Sequence, residues 1–497
     1  MGVRVSLIQP SDGLCYKWAR KRTKRMPLGL AYIAAALEQA DHQVSVTDAA
    51  LDDLSIEDTV DQALACDPLF VGITCTTPLY HQAVAIVERI KRLAPRSVVI
   101  LGGPHVSALP KATLETSQAD FVCIGEGEET ILQIIECVLT GRPPSQVVGV
   151  AYNWNGWQGE TVTRRRRVSE RRETHSQPVD LNRCPVPARH LFRYQEYTDG
   201  ARDVEGVQTS AMFSRGCPGK CSFCGAADTI VRWRDIANVL DELEMIEKQL
   251  HIGNVFVNDD TYTSNKKRVL ALSRGIVDRG IKLKIGVQLR LDQVDAEICD
   301  ALFASGVNYV GPGIESGNEQ IIRQIGKGPK ESKAHMLEKM RLLQRYDWRV
   351  RASFVMGMPG ETEEQIMETI DFARELRADE NAFSILVPYP DSPLWHTAKQ
   401  LGKVNDHMDF SKFLYYHAIG CNLSAVPTER LLELHEFAYE YVGNPAYRFD
   451  DDAVSSGNRP HIPYLASEAF RRHREAIGEK HETSYVYDND DKLRASR

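Results

Sequence analysis

The chain has 497 residues, which is longer than one ordinary domain and predicts two or three domains. Hydrophobic residues make up 43% and charged residues 26% of the chain, as in ordinary globular proteins. The formal net charge of −8 gives no reason to expect nucleic acid or an anionic membrane as the main partner.

The beginning of the chain, MGVRVSLIQP, has no long apolar run, so we expect no signal peptide. The apolar runs elsewhere are too short to cross a membrane. Eleven cysteines, an odd number, do not favour a disulfide framework. They fit a cytoplasmic location, where thiols stay free to bind metal.

A first block of alternating strands and helices occupies residues 1–140. Short β-branched runs predict strands at Val3–Ile8, Gln43–Thr47, Leu69–Ile73, Val98–Leu101 and Phe121–Ile124. Apolar periodicity predicts helices at Leu28–Gln39, His81–Leu93 and Glu128–Leu139. Such alternation with nearly continuous apolar strands is typical of a doubly wound parallel sheet, so we predict a Rossmann-like α/β domain.

Residues 141–205 are rich in proline, glycine and charge, which predicts a linker with a small hairpin around Val148–Thr163. A second alternation fills residues 206–400. Its predicted strands are Val207–Phe213, Val255–Asn258, Leu283–Gln288, Tyr309–Ile314, Arg351–Met356 and Ala382–Val387. Six strand–helix units are too few for a closed eight-unit barrel and indicate an open partial (β/α)6 barrel, whose ligands bind at the carboxyl ends of the strands.

Two details of the helices are also predicted. Asp235 is expected to cap a helix over Asp235–Leu250. Beyond residue 400 the alternation stops, and residues 401–497 are expected to form a small α-helical extension with helices at Thr428–Tyr441 and Tyr464–Ile477. The polar end of the chain is expected to be disordered.

Three cysteines are concentrated in the stretch FSRGCPGKCSFCGA, directly after the first strand of the second block. Cys217, Cys221 and Cys224 have the spacing Cys-x3-Cys-x2-Cys. A cubane iron–sulfur cluster held by three thiolates would leave one iron open to an outside ligand, and the surrounding glycines permit the tight turns that such a loop needs. A structural zinc site is the alternative and needs a fourth ligand. The candidates for that ligand are Cys184, His190 and His251.

With Phe223 directly before the last cysteine, this spacing resembles the signature of the radical S-adenosylmethionine (radical SAM) enzymes. The resemblance covers about residues 205–400. It implies a [4Fe–4S] cluster on the three cysteines, with SAM bound to the open iron and cleaved reductively to methionine and a 5′-deoxyadenosyl radical. It also implies an external electron donor such as flavodoxin or ferredoxin.

Several predicted strand ends match positions at which that family contacts SAM. The resemblance implies that Asp259 or Asp260 accepts hydrogen bonds from the SAM ammonium group, although aspartates are also common in solvated turns. It places Glu315 and Ser316 beside the ribose and methionine parts of SAM. Arg290 is a further polar candidate for which an ordinary salt bridge is favoured. The positions implied around adenine are Phe223, Val355, Met356 and Gly357.

The first block contains the segments MPLGLAYIAAALEQADHQVSVTDA, ITCTT, ILGGPHVSALP and CIGEGEET, whose order resembles a cobalamin-binding domain that precedes many radical SAM cores. A nicotinamide site is disfavoured, because QPSDGLC lacks the Gly-x-Gly-x-x-Gly pattern. An Asp-x-His-x-x-Gly motif is absent, so we expect bound cobalamin to lack a histidine lower ligand. The residues implied at the corrin are Thr76, Thr77, Gly102, Gly103, Pro104, His105, Gly125, Glu126 and Gly127.

Together the two resemblances imply a cobalamin-dependent radical SAM methyltransferase that acts on a small molecule or peptide in natural-product biosynthesis. In that scheme the radical removes hydrogen from an unactivated carbon, which then takes a methyl group from methylcobalamin. A cyclisation, ring contraction or rearrangement without methylation is the alternative, and a non-catalytic zinc- or cluster-binding regulator is a further one. A methylthiotransferase is disfavoured because the first block shows no second three-cysteine site.

Overall fold

A computed structural model of the chain describes residues 2–12, 24–161, 166–169, 172–174, 178–198, 206–328, 332–416 and 418–442. All of these residues belong to one structural unit, Met1–Asp450. The predicted helix Tyr464–Ile477 and the polar end of the chain lie outside the described residues. Among the helices that are described, none is long and apolar enough to cross a membrane.

Seven strands form the first sheet. They are β1 (Arg4–Gln9), β2 (Gln43–Asp48), β3 (Phe70–Thr74), β4 (Val98–Gly102), β5 (Phe121–Cys123), β6 (Val150–Trp154) and β7 (Trp157–Thr161). The spatial order is β2-β1-β3-β4-β5-β6-β7, and β1 to β5 are parallel, as predicted. The predicted hairpin is confirmed as β6–β7, and it pairs antiparallel with β5, so the first sheet extends past residue 140.

Helices cover both faces of this sheet and connect its parallel strands. They are α1 (Leu28–Gln39), α2 (Ala49–Asp52), α3 (Ile56–Leu64), α4 (Tyr80–Leu93), α5 (Pro104–Ala108), α6 (Pro110–Thr116) and α7 (Glu128–Thr140). The predicted helices α1, α4 and α7 are confirmed. Helix α3 was not predicted, although Ser55 caps it by accepting a hydrogen bond from the Asp58 backbone N–H.

The second sheet contains six parallel strands, as predicted. Its order is β10-β13-β14-β15-β16-β17, and it is preceded by a small antiparallel pair, β8–β9. The bounds of these strands and of the short pair β11–β12 are β8 (Arg166–Ser169), β9 (Arg172–Thr174), β10 (Gln208–Ala211), β11 (Ser214–Arg215), β12 (Arg232–Trp233), β13 (Asn254–Val257), β14 (Lys284–Leu289), β15 (Val307–Glu315), β16 (Arg349–Met356) and β17 (Glu380–Ile385).

The helices of the second half are α8 (Ile236–Lys248), α9 (Lys266–Asp278), α10 (Ala296–Ala304), α11 (Glu319–Ile325), α12 (Lys333–Leu343), α13 (Glu363–Leu376), α14 (Pro393–Gln400) and α15 (Thr428–Val442). Helix α15 confirms one predicted helix of the extension. Asp235 occupies the predicted N-cap position of α8, although its side chain makes no capping hydrogen bond. Thr362 and Gln365 form a capping box at the start of α13.

One apolar core joins both sheets to the segment that follows α14. It contains Ile73 and Leu101 from the first sheet, Val355 from the second, and Phe410 and Phe413 from that segment. Burial of these side chains favours a fixed arrangement of the two halves, because separating them would expose apolar surface to water.

A buried ion triad fastens the segment before β10 to the second sheet. The Glu242 carboxylate on α8 accepts a hydrogen bond of 2.6 Å from Arg189 and another from Arg234, and all three side chains are buried. Arg189 also donates to the Ser210 carbonyl oxygen at 2.7 Å. Burial opposes ionisation of Glu242, yet the two guanidinium groups hold the pKa of its carboxyl below the ordinary value.

We expect Glu242→Gln to lower the free energy of unfolding by about 3–5 kcal/mol, because it leaves two buried arginines without their counter-charge. Glu244→Gln on the same helix is the matched control, since Glu244 is half-exposed and pairs with Lys248 at the surface. In urea unfolding of the apoprotein, the free energy of unfolding of Glu244→Gln should lie within about 1 kcal/mol of the wild-type value. Equal effects of the two substitutions would contradict a structural role for the triad.

Candidate functional site

The three cysteines lie on a loop, residues 216–229, that follows β11 and that we call the cluster loop. Its two ends are tied together: the Cys217 N–H donates to Thr229 Oγ1 at 2.8 Å, and the Thr229 N–H donates to the Cys217 carbonyl oxygen at 2.9 Å. Gly216 has a φ of +101°, and a Cβ there would lie 2.4 Å from the Ile230 carbonyl oxygen. The glycine is therefore required for the loop to begin in this way.

The middle of the cluster loop is fastened to two helix ends. The Ser222 N–H donates to the Ile325 carbonyl oxygen of α11 at 2.9 Å, and the Leu394 N–H of α14 donates to the Ser222 carbonyl oxygen at 3.0 Å. Phe223 packs against the apolar core. Gly225, by contrast, has open space around its Cβ position, so the structure gives no steric reason for a glycine there.

The donor set of the cluster loop fits an iron–sulfur cluster better than a single metal ion. Cys217, Cys221 and Cys224 are partly buried free thiols. Burial raises the pKa of all three, and that of the Cys221 thiol to about 11, so a thiolate here needs positive charge beside it. In the described part of the chain, no group of three or more His, Cys, Asp or Glu side chains is placed to hold one metal ion. In a [4Fe–4S] cluster each cysteine binds its own iron, so the three thiols need not converge on one metal ion.

Two of the candidates for a fourth zinc ligand have other contacts. The Cys184 thiol donates to the Asp180 carbonyl oxygen at 3.7 Å. The His190 ring lies 3.1 Å from Glu38 on an exposed surface. Neither contact involves the cluster loop, which weakens the zinc interpretation.

Asp259, two residues after β13, holds the backbone at Phe213 and Ser214 in place. Its Oδ1 accepts backbone hydrogen bonds from Phe213 at 2.7 Å and Ser214 at 3.0 Å, and its Oδ2 accepts from the Ser214 hydroxyl at 2.6 Å. The side chain is buried, and burial raises its pKa to about 6. Asp259 therefore anchors the chain that leads into the cluster loop.

Asp260 differs from its neighbour because it lies on the side of the cysteines. Its Oδ2 accepts a hydrogen bond of 2.8 Å from the Gly216 N–H. Its charge is also close enough to Cys217 and Cys224 to contribute to the raised pKa of both thiols. Of the two aspartates, Asp260 is the one that lies beside the cysteines.

Glu315 has a strained backbone at the end of β15. Its φ is +73°, and the register between β15 and β16 shifts between Gly313 and Glu315. The carboxylate lies 3.1 Å from the Lys327 ammonium group, and both side chains are largely buried. Non-glycine residues with positive φ cluster at functional sites, which agrees with a role for Glu315.

The other residues predicted around SAM are more deeply buried. The Ser316 hydroxyl lies 3.0 Å from the Thr369 hydroxyl and accepts a hydrogen bond of 3.1 Å from the Asn318 N–H. Val355 and Met356 belong to the core at the end of β16. Ser316 thus fixes a turn, and the side chains of Val355 and Met356 contribute packing.

Glu361 holds the turn after β16, a role that the sequence analysis missed. One carboxylate oxygen accepts backbone hydrogen bonds from Gly357 at 2.6 Å and Met358 at 2.9 Å. Gly357 has a φ of +95°, which a side chain would disfavour. Glu361 is fully buried, and burial raises its pKa to about 7.

A cavity of about 380 Å³ lies at the carboxyl ends of β3, β4 and β5. Its walls come from α1, from α7 and from the second half of the chain through Met212, Arg215 and Asn258. Gly103 has a φ of +110°, and a Cβ there would lie 2.6 Å from the Cys75 carbonyl oxygen. The predicted residues that line this cavity are Gly102, Gly103, Gly125, Glu126 and Gly127.

Four other predicted cobalamin residues do not line this cavity: Thr76, Thr77, Pro104 and His105. The His105 ring is buried between Tyr80 at 4.3 Å and Phe410 at 4.6 Å, and its Nδ1 lies 3.2 Å from the Thr77 hydroxyl. Desolvation lowers its pKa to about 4, so the ring stays neutral. His105 and Thr77 therefore pack inside the core, where Phe410 covers the His105 ring.

An ion network joins the two halves of the chain at the cavity wall. We use this name for Arg215 and Arg232 of β11 and β12 together with Glu126 and Glu128. Arg215 lies 3.3 Å from Glu126 and also pairs with Glu128, and Arg232 donates to Glu126 at 3.1 Å. Burial opposes ionisation of Glu126, but the two arginines keep its pKa below the ordinary value.

Several residues in and beside the cavity wall were not predicted from the sequence. The Arg215 guanidinium lies 5.5 Å from the centre of the Tyr32 ring of α1, and both residues line the cavity. Arg215 stands two residues before Cys217 in the stretch SRGC, and that position was a signal that could have been used. Arg232 had no such signal, because strand pairing brings it beside Arg215.

The fold and the site therefore define a radical SAM barrel that is preceded by a Rossmann-like domain with a cavity at its strand ends. Residues 23–135 match the B12 binding domain, and residues 212–373 match the Radical SAM superfamily. An uncharacterised methyltransferase of Pyrococcus horikoshii is 30% identical over 381 residues, which cover 75% of this chain and 78% of that protein. The chain belongs to the radical SAM enzymes that carry a cobalamin-binding domain.

Other relatives have more specific names. Cytidylyl-2-hydroxyethylphosphonate methyltransferase of Streptomyces wedmorensis is 26% identical, with 79% of this chain and 81% of that protein covered. Anaerobic magnesium-protoporphyrin IX monomethyl ester cyclase of Rubrivivax gelatinosus is also 26% identical, with 78% and 68% covered. Relatives of this chain thus include methyltransferases and cyclases.

Solved structures share the fold. The radical SAM methyltransferase TsrM from Kitasatospora setae, solved with cobalamin and a [4Fe–4S] cluster, has a TM-score of 0.70 at 19% identity, with 96% of this chain and 100% of that chain covered. The cobalamin-dependent enzyme OxsB has a TM-score of 0.67 at 17% identity, with 95% and 71% covered. With the two domain matches, these findings confirm the predicted fold class and the predicted cofactor set of cluster, SAM and cobalamin.

We expect the stability of the protein to fall with rising pH through Glu361. The folded protein holds the Glu361 proton with a pKa of about 7 and the unfolded chain with the ordinary 4.5, so this contribution is fully present below pH 4.5 and is lost as pH rises towards 7. Glu361→Gln removes this dependence. In urea unfolding at several pH values, the wild type should lose stability relative to Glu361→Gln as pH rises. A constant difference would contradict the raised pKa, and Glu375→Gln, at an exposed position of α13, is the control.

Proposed function

We propose that this protein is a cobalamin-dependent radical SAM methyltransferase that methylates an unactivated carbon of a small molecule or peptide in natural-product biosynthesis. The observation that carries the proposal is the shared wall of two sites. Arg215 lines the cavity at the ends of β3 to β5, and it stands two residues before the first cysteine of the cluster loop. A cofactor in the cavity and a cluster on the loop would therefore be neighbours.

Cys217, Cys221 and Cys224 would each hold one iron of a [4Fe–4S] cluster, and SAM would complete the fourth. Asp260 is the proposed acceptor for the SAM ammonium group, because Asp259 is buried in bonds to the backbone. Glu315 is proposed to lie beside the ribose and methionine parts of SAM. The backbone of the turn at Gly357, held by Glu361, is proposed to lie beside adenine.

The cavity is proposed to take the nucleotide tail of cobalamin. Its volume of about 380 Å³ is within the range of ligand pockets, and the corrin is proposed to lie over the glycine loops at its mouth. Gly103 and Gly125 have φ values of +110° and +83°, so their backbone can approach a large flat ligand closely. Since His105 is covered by Phe410, we propose that cobalt has no histidine ligand from this loop.

When bound, the cluster with SAM supplies a 5′-deoxyadenosyl radical, and cobalamin supplies the methyl group. The chain's own contribution is position: the ion network holds the cavity wall against the beginning of the cluster loop, and the shared core keeps the two halves in one arrangement. Fixed placement of reactants and exclusion of water are the means by which a protein controls a reactive radical. An external reductant such as flavodoxin or ferredoxin is proposed to supply the electron.

A radical cyclisation without methylation is the second candidate, because a relative that covers 78% of this chain is a cyclase. The mass of the product separates the two candidates, since methylation adds one methyl group and a rearrangement adds none. The residues that hold the cofactors do not distinguish them.

The proposal is tested by anaerobic reconstitution with iron, sulfide and hydroxocobalamin. We expect iron, acid-labile sulfide and cobalamin to remain with the protein through gel filtration, and reduced protein to release 5′-deoxyadenosine from SAM. Zinc without acid-labile sulfide would exclude a radical enzyme. Cluster without cobalamin would exclude the methyl donor and leave the cyclisation.

The cluster cysteines give a further expected result. Cys217→Ala, Cys221→Ala and Cys224→Ala should each reduce 5′-deoxyadenosine formation to that of a protein-free reaction, because a lost thiolate leaves one iron unbound. Cys66→Ala in the first half of the chain is the control and should keep the activity of the wild type. Activity in all three variants would be incompatible with the assigned cluster loop.

A larger side chain at Gly102 should block the proposed cobalamin site without disturbing the cluster. A Cβ at this position would be in ordinary contact, 3.9 Å from the Cβ of Cys123, so Gly102→Ala should bind cobalamin as the wild type does. Gly102→Leu should project into the cavity and lower cobalamin retention at least about tenfold, which corresponds to a binding loss of about 1.4 kcal/mol. Formation of 5′-deoxyadenosine should continue in both variants. Full cobalamin retention by Gly102→Leu would show that the tail binds elsewhere.

A further inference from the structure

Arg290 lies beside the cluster loop in a fixed orientation. It follows β14, and the residue is only 9% exposed. Asp292 holds it through two hydrogen bonds of 3.0 Å, from Nε and from Nη2. Nη2 also donates to the Lys327 carbonyl oxygen at 2.6 Å. A bidentate pair of this kind fixes the plane of the guanidinium.

The orientation directs the remaining nitrogen towards the cysteines. Nη1 lies 3.9 Å from the Cys221 sulfur, which is within hydrogen-bond distance for sulfur. A Cβ on Gly219 would lie 2.8 Å from Nη1 and 3.2 Å from the Cys217 sulfur. Gly219 is therefore the residue that lets the guanidinium pack directly against the cluster loop, a role apart from any turn.

The charged side chains near Cys221 form two ion pairs of opposite charge. Arg290 pairs with Asp292, and Lys327 pairs with Glu315 at 3.1 Å. Both pairs lie close enough to influence the Cys221 thiol, Lys327 and Arg290 from the positive side and Glu315 from the negative side. Arg290 is distinguished from Lys327 because it has a hydrogen-bond donor directed at the sulfur.

We propose that Arg290 is a positioning residue that raises the reduction potential of the cluster by donating a charge-assisted hydrogen bond to the Cys221 thiolate. This inference rests on the proposed function, because it requires the cluster on these cysteines. Reduction adds one electron from the external donor and makes the cluster more negative. A buried positive donor at a ligand sulfur stabilises that reduced form more than the oxidised one.

The chemistry explains why an arginine stands at this position. A lysine has one ammonium group and cannot bind both Asp292 oxygens while it also reaches Cys221. Arg290→Lys therefore keeps the charge and loses the directed donor, whereas Arg290→Gln loses both. The two variants separate charge from geometry.

The test is a redox titration of reconstituted protein with dithionite, followed by electron paramagnetic resonance of the reduced cluster in the absence of SAM. We expect the midpoint of Arg290→Gln to be more negative than that of the wild type, with Arg290→Lys between them. Arg323→Gln, at an exposed position of α11, is the matched control and should titrate as the wild type does. Leaving SAM out ensures that a change in SAM binding cannot produce the shift.

The result that overturns the inference is an unchanged midpoint in Arg290→Gln at equal iron and sulfide content. If Arg290→Gln does not take up the cluster, an unchanged midpoint in Arg290→Lys overturns the inference instead. Failure of both variants to hold a cluster would assign Arg290 to loop stability and reject the role in tuning. A wild type that binds no iron and sulfide would instead refute the proposed function itself.

Discussion

The ion pairs between Arg215 and Arg232 on one side and Glu126 and Glu128 on the other are the contact on which the arrangement of the site depends. They stand where the glycine loops of the first sheet meet the segment that begins the cluster loop. These side chains are largely shielded from water, so separating the pairs would leave each partner without its counter-charge. The network therefore couples the placement of the cavity to the placement of the cysteines, and a protein that joins two cofactors needs this coupling.

Buried carboxylates hold the loops around both sites. Asp259 anchors the entry to the cluster loop, Glu361 anchors the turn after β16, and Glu242 fastens the preceding segment to α8. Each accepts several hydrogen bonds from nearby groups, which offset part of the cost of its desolvation. Asp260, Glu315, Lys327 and Arg290 lie beside the cysteines. We propose that Asp260 and Glu315 contact SAM and that Arg290 acts on the cluster through Cys221.

The strands and the long helices were predictable because their apolar patterns are local, and the cluster loop because its spacing is specific. The choice between Asp259 and Asp260 was not, since adjacent residues at a strand end point to opposite sides and sequence does not say which side faces the cysteines. His105 was placed at the corrin by its loop, but Phe410, about three hundred residues later in the chain, covers it. Arg232 and the ion triad depend on pairing between distant segments in the same way.

We propose that cobalamin and the cluster act together in transferring a methyl group. Its most direct test supplies SAM with a labelled methyl group to reconstituted, reduced protein together with a pool of candidate substrates. We expect a product that carries one labelled methyl group, with one 5′-deoxyadenosine formed for each product molecule. Formation of 5′-deoxyadenosine with a product that gains no methyl group would contradict it.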